Sequence, residues 1–312
     1  MSDIPILSIV IPLYQESSSI ENTVIRIKTV LQSLNESFEF VLIDDGSSDS
    51  TWSKIGGLSE QILTIRAIRL SRNFGKESAL SAGLQMARGN AVIVMDGDLQ
   101  HPPELIPEMV RIWRGSDADV VEAIKENRSS ESTTNRIGAI IFYAILNRLS
   151  AYDLKGATDY KLMDRRVVDA WLTLREQSLF FRGMSAWLGF KHVQIPFEVP
   201  NRVDGKSKWS IFQLIKLAVT AVTAFSSFPL HFITLAGVGF FVFAIGLSVQ
   251  TLLYKILGKA VSGFTTVILL LLIIGSALMM GLGIIGEYIA RIYEEVKRRP
   301  RYIIAEKIDR EN

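Results

Sequence analysis

The sequence has no cysteine, which excludes a disulfide framework, a thiolate metal centre and a cysteine nucleophile. Histidine is nearly as scarce: the three at 101, 192 and 231 are too scattered to build a zinc cluster. Neither sign of charge is in excess, the net being +2, so no global basic surplus points to nucleic acid. There is no G-x-G-x-x-G after the first strand pattern and no G-x-x-x-x-G-K-[ST], so neither familiar phosphate loop is present. The opening MSDIPILSIVIPLY lacks a basic stretch ahead of its apolar run and reads as a strand, not a signal peptide. What remains for metal chemistry is oxygen ligands.

Two long segments lack charge altogether. No Asp, Glu, Lys or Arg occurs from Leu230 to Tyr254 or from Phe264 to Gly286. Each exceeds the roughly 20 residues that cross a bilayer core at 1.5 Å per residue. Only KILGKAVSG separates them, so the expectation is a transmembrane hairpin over 229–290, with Pro229 marking its start. The flanks RIYEEVKRRPRY and GKSKWSIFQLIK carry five and three Lys/Arg against two in the connecting loop. Positive-inside reasoning therefore places the N-terminal region (1–208), both termini and a basic tail (291–312) in the cytoplasm of a multi-pass membrane protein. Residues 209–228, with Lys216 as their only charge, read as an interfacial amphipathic helix, paired with 137–149 unless that segment is an ordinary core helix.

The first 200 residues alternate strand and helix patterns. LSIVIPLY, FEFVLIDDG, TIRAIRLS and NAVIVMDGD are short β-rich runs, separated by segments of helical spacing, the first with Ser19 as its expected N-cap. That alternation implies an α/β fold with a mostly parallel sheet flanked by helices. In such sheets ligands lie beyond the carboxyl ends of strands. Three strand patterns end there in polar clusters: Tyr14-Gln15-Glu16, Asp44 to Asp49, and Asp96-Gly97-Asp98.

Asp96 and Asp98 are either a solvated turn or a pair aimed at one cation, Gly97 supplying the backbone freedom to turn both the same way. Hard carboxylates suit Mg²⁺ or Mn²⁺, which also bind phosphates, and Gln100 adds an oxygen. DDGSSD is good turn chemistry or a ribose-binding strand end; Arg202, Lys206 and Lys208 are juxtamembrane charge or a loop closing over phosphates. RNFGKESALSAGL carries no chemistry by pattern, KENRSSESTTNR (125–136) is a polar loop, Pro102 and Pro103 stop a strand, and His101 reads as a bystander.

SIVIPLYQE, VLIDDGSSDST, LSRNFGKESALSAGL, VMDGDLQHPPE, GATDYKLMDRRV and NRVDGKSKWS, in that order and followed by two spans, resemble the polyprenyl-phosphate glycosyltransferases of glycosyltransferase family 2. Within them the likeness is to bactoprenol glucosyltransferases, with dolichol-phosphate mannose synthases as relatives. The resemblance implies a GT-A fold, a nucleotide-sugar donor, a divalent metal and inverting transfer to a lipid phosphate. Carried over by motif, Asp96, Asp98 and Gln100 bind the metal, and Pro12, Tyr14, Glu16, Ile43 and Asp45 hold the nucleoside side of the donor. Asp96 also counts as donor-binding through the metal, while Arg202 and Lys208 close over the donor phosphates. Asp98, Lys125, Arg136 and Asp159 form the catalytic set, Lys125 standing where relatives carry arginine and Asp159 acting as base or as a holder of hydroxyls.

The implied partners are UDP-glucose first, with GDP-mannose or another UDP-sugar behind it, a polyprenyl phosphate acceptor, the bilayer, and a second copy in a homo-oligomer. The rivals are a processive synthase, disfavoured because no Arg-Trp pair exists, and a non-catalytic nucleotide-sugar-binding membrane scaffold. A further expectation is that detaching 209–312 removes lipid transfer more than donor binding.

Overall fold

Leu7–Leu13 (β1) is an almost unbroken apolar run, the composition of a strand covered on both faces, and all of it is buried except the half-buried Pro12. It lies centrally in the computed structural model, which describes residues 4–115, 118–125, 158–174, 176, 181–197, 228–258 and 263–309. Arg136, Arg202, Lys208, the loop after Lys125 and the helices expected at 137–149 and 209–228 lie outside the described residues. On one side β1 pairs in parallel with Phe38–Asp44 (β2), and β2 with Ile65–Leu70 (β3); on the other it pairs with Ala91–Val94 (β4). Pro12 falls past the last β1–β4 pair, Val10 with Val94, where that ladder needs no further N–H donor.

The edges are mixed. Val120–Lys125 (β5), Lys161–Asp164 (β6), His192–Phe197 (β7) and Ile304–Ile308 (β8) complete an eight-stranded sheet among the described residues, in the order β7-β5-β6-β4-β1-β2-β3-β8. β6 is antiparallel to both β4 and β5, and β8 is antiparallel to β3.

Alternate residues of β1 serve opposite faces. Leu7, Ile9, Ile11 and Leu13 join a core with Ile20–Gln32 (α1), Thr51–Gln61 (α2) and Ile106–Gly115 (α4). Val10 faces Lys76–Met86 (α3) on the other side, where a Cβ on Gly83 would stand 2.4 Å from Val10 Cγ1 and 2.6 Å from Ile43 Cδ1. Glycine there lets α3 press onto the sheet. Ser19 is not a side-chain cap for α1: its hydroxyl turns back to the Glu16 carboxylate.

Arg165–Thr173 (α5) and Phe181–Trp187 (α6) follow β6, with Phe228–Ile256 (α7) and Phe264–Lys297 (α8) beyond. Among the described residues, 4–197 and 299–309 form one compact unit and 228–298 another. α7 and α8 are long and apolar enough to cross a membrane, and the protein buries none of their apolar windows. Ile233 approaches Gly281, within 3.5 Å of where a Cβ would stand.

Residues 291–312, expected as a basic tail, are organised differently. α8 runs through to Lys297, and the chain then returns to the sheet as β8. The reason is charge pairing: Arg66, 11% exposed, meets Asp309 at 2.7 Å and Glu39 at 3.1 Å, while Glu306 takes Arg69 and the Trp52 indole N–H, each at 2.8 Å.

Candidate active site

Because β1, β2 and β4 run parallel, their carboxyl ends share one edge, and the three polar clusters meet there. The Gln15 N–H donates to Ser47 Oγ at 2.9 Å and the Glu16 N–H to Thr51 Oγ1 at 3.0 Å, tying the first cluster to the second. The turn after β2 is tight: Gly46 has φ +66°, and a Cβ there would stand 2.4 Å from the Arg72 backbone. Asp45, 3% exposed, accepts the N–H groups of Phe74 and Gly75 at 2.7 and 2.9 Å, so it organises the entrance to α3. Burial raises its pKa, with those N–H bonds opposing.

Pro12 and Tyr14 lie at the end of β1, with the Tyr14 ring 46% exposed, while Ile43 packs its side chain beneath α3. Tyr14 is thus open to solvent, whereas the Ile43 side chain is taken up by packing. Lys125 closes β5 in register with Phe197.

The antiparallel register of β4 and β6 pairs Val94 with Lys161 and, continued two steps, sets Asp96 opposite Asp159. Between these two carboxylates stands Lys76, the first residue of α3: its Nζ is 2.5 Å from Asp96 Oδ1 and 2.6 Å from Asp159 Oδ2. Arg182 of α6 grips Asp159 from the other side with two parallel bonds of 2.8 and 3.0 Å. Asp159 is 5% exposed; burial alone would raise its carboxyl pKa, but Arg182 and Lys76 hold it well below the usual range. Burial likewise opposes the Lys76 charge, yet Asp96 and Asp159 outweigh it and raise that pKa.

Lys76 and Arg182 were not singled out by sequence. Lys76 sits in RNFGKES, a stretch indistinguishable from a turn and helix start, and Arg182 lies several elements beyond the Asp96–Asp98 motif in the chain. Only the register that brings β6 beside β4 makes them site residues.

Two sequence expectations are corrected. Gly97 is not in the left-handed region; space demands glycine, since a Cβ would stand 2.6 Å from Leu13 Cδ2, and the left-handed residue of the turn is Leu99, at φ +56°. His101 is no bystander: it is 4% exposed, its Nδ1 accepts the Asp96 N–H at 3.1 Å, and its ring stacks on Tyr160 at 5.0 Å. Burial lowers its pKa, so at neutral pH it is an uncharged brace for the Asp96 backbone.

Asp98 is exposed and takes the Gln100 N–H on Oδ1 at 3.1 Å. Among the described residues no three His, Asp or Glu side chains converge. Two carboxylates with an amide oxygen still fit a hard divalent cation, which binds through one or two carboxylates and fills its shell from water and phosphate.

A mostly parallel sheet with acidic strand ends along one edge is a GT-A-type fold. A crystal structure of glucosyl-3-phosphoglycerate synthase from Mycobacterium tuberculosis, in complex with Mn²⁺, uridine diphosphate and phosphoglyceric acid, shares it with a TM-score of 0.50 and 18% identity, over 70% of this chain and 78% of that one. The sequence model of glycosyl transferase family 2 matches residues 8–172, so the chain belongs to that family and is a glycosyltransferase. It is 37% identical to an uncharacterized glycosyltransferase of Synechocystis, over 96% of this chain and 95% of the relative. Against the prophage-derived bactoprenol glucosyl transferase of Shigella flexneri it is 35% identical, over 96% of this chain and 97% of the relative. A prophage bactoprenol glucosyl transferase homolog of Escherichia coli is 34% identical, over 96% and 98%.

Proposed function

We propose that this protein transfers a hexose, glucose from UDP-glucose in the first instance, to the phosphate of a membrane polyprenyl phosphate with inversion. The observation that carries this reading is the extent of the likeness to bactoprenol glucosyl transferases. At 35% identity it covers 96% of the chain and so includes the two apolar helices, not only the 8–172 domain. A sheet with acidic strand ends leaves the acceptor open; a match through the apolar helices supports one that stays in the bilayer, because burying each CH₂ of a polyprenyl chain is worth about 0.8 kcal/mol.

Tyr14, Glu16 and Asp45 with the backbone of Pro12 and Ile43 would line the nucleoside side of the donor. Asp96, Asp98 and Gln100 would hold Mg²⁺ or Mn²⁺, which supplies positive charge against the donor diphosphate. Lys125, Arg136, Arg202 and Lys208 add basic groups for the donor and acceptor phosphates. An acceptor phosphate oxygen attacks the anomeric carbon, forming the new C–O bond as the bond to the diphosphate breaks and the nucleoside diphosphate leaves. A phosphate monoester has its second pKa near 6, so the nucleophile is largely dianionic at neutral pH and no strong base is needed. That suits Asp159, whose lowered pKa and two cationic partners support an anchoring role over that of a proton acceptor. The catalytic domain and both termini would face the cytoplasm of the inner membrane.

Purified full-length protein given polyprenyl phosphate and a panel of nucleotide sugars is expected to form a glycolipid from UDP-glucose only with Mg²⁺ or Mn²⁺, and Asp96→Ala to form about a hundredfold less. GDP-mannose as the best donor would change the sugar; no glycolipid from any donor would leave the scaffold reading.

A further inference from the structure

Lys76 already satisfies Asp96, the carboxylate proposed to hold the metal. Its Nζ stands 2.5 Å from Asp96 Oδ1 while it also bridges to Asp159 Oδ2 at 2.6 Å. An ion at about 2.1 Å from the same Asp96 oxygen would lie close beside an ammonium of like charge. Asp159 already divides its charge between Lys76 and the Arg182 guanidinium, so it has little further negative charge to draw the lysine away from Asp96. A ligand that brings its own negative charge can do so, and a nucleoside diphosphate is such a ligand.

Resting on the metal reading above, we propose that Lys76 is the internal counter-ion of Asp96 and makes metal binding conditional on the donor: the nucleoside diphosphate takes over Lys76 as the metal takes over Asp96. Lys76 is then a positioning residue that couples the two ligands. The other groups at Asp96 fit this. The Asp96 N–H is fixed by His101 Nδ1, so the backbone stays in place when the side chain changes partner. Gly75, at the start of α3, is held by Asp45 through its N–H, so the base of the Lys76 side chain is anchored while its end swings. The coupling is reciprocal: the metal must tighten nucleoside diphosphate binding by the factor by which the diphosphate tightens metal binding.

The test is Mn²⁺ affinity of the full-length protein in detergent, read by the electron paramagnetic resonance signal of free Mn²⁺, with and without UDP. The wild type is expected to bind Mn²⁺ weakly alone and at least tenfold more tightly with UDP. Lys76→Met is expected to bind Mn²⁺ alone about tenfold more tightly than wild type and to lose most of the UDP effect; Lys76→Arg keeps the wild-type pattern. Should Lys76→Met unfold early, Lys76→Gln gives the same readout. Equal Mn²⁺ affinity of wild type and Lys76→Met without UDP, with the UDP enhancement intact in both, would overturn the counter-ion role and leave the metal site standing. No Mn²⁺ binding to the wild type even with UDP would remove the metal reading and this coupling with it.

Discussion

Glu77 and Asp159 are two carboxylates that both feel the Lys76 charge, and their surroundings drive their pKa values apart. Burial pushes Glu77 up to about 7, the Phe181 N–H, which it accepts at 2.8 Å, offsetting only part of that. Asp159 is buried more completely but holds an ammonium and a guanidinium, and stays ionised. A folded pKa raised above the ordinary 4.5 contributes stability that is complete at low pH and lost as pH climbs through about 7. Glu77→Gln stays neutral and can still accept the Phe181 N–H. It is therefore expected to match wild type at pH 5 and to exceed it by about 1–2 kcal/mol at pH 8.5, read from unfolding midpoints at the two pH values. The acidic motif around Asp96 was legible in sequence because carboxylates spaced two apart at a strand end stand out. Lys76 was not, since one lysine opening a helix is an ordinary surface residue until the fold places two carboxylates on it.

Among the elements, β8 was the least legible. Ile304–Ile308 is short and half polar, follows a long helix, and has no pattern that names its partner. Its place on β3 depends on groups far away in sequence: Arg66 to Asp309, Arg69 and Trp52 to Glu306, and Tyr302 to Gln85. Arg69 also donates to the Ser47 carbonyl at 2.9 Å, so the strand after the apolar helices supports the loop that bears Asp45. Arg66 is mostly enclosed, so Asp309→Ala leaves a guanidinium with half its charge partners and is expected to cost about 2–3 kcal/mol, measurable as a lowered unfolding midpoint. Glu306→Ala acts on an exposed, solvent-screened pair and should lower the unfolding midpoint far less than Asp309→Ala does.

At the scale of the whole molecule, the return of β8 alters what a deletion means. Removing 209–312 would take away the apolar helices and also an edge strand, leaving β3 with an open edge and Arg66 without Asp309. Ending the chain at Arg298 separates the two effects: both apolar helices remain, yet unfolding midpoint and UDP binding are expected to fall, the latter several-fold. Unchanged UDP binding in that shortened chain would show that β8 does not support the donor edge. The central parallel strands and two apolar helices were determined by the sequence alone, because runs such as SIVIPL and VILLLLIIG form buried strands or long apolar helices by local hydrophobic pattern, which needs no knowledge of partners. The carboxylate cluster at the strand ends followed for the same reason, strand direction being enough to place it on one edge. Tertiary structure alone decided that Asp159 faces Asp96, that Lys76 and Arg182 neutralise them, that His101 braces the motif and that the chain closes its own sheet after the apolar helices. Those outcomes depend on strand register and on charges paired across long separations, and their energy exists only once distant segments have met.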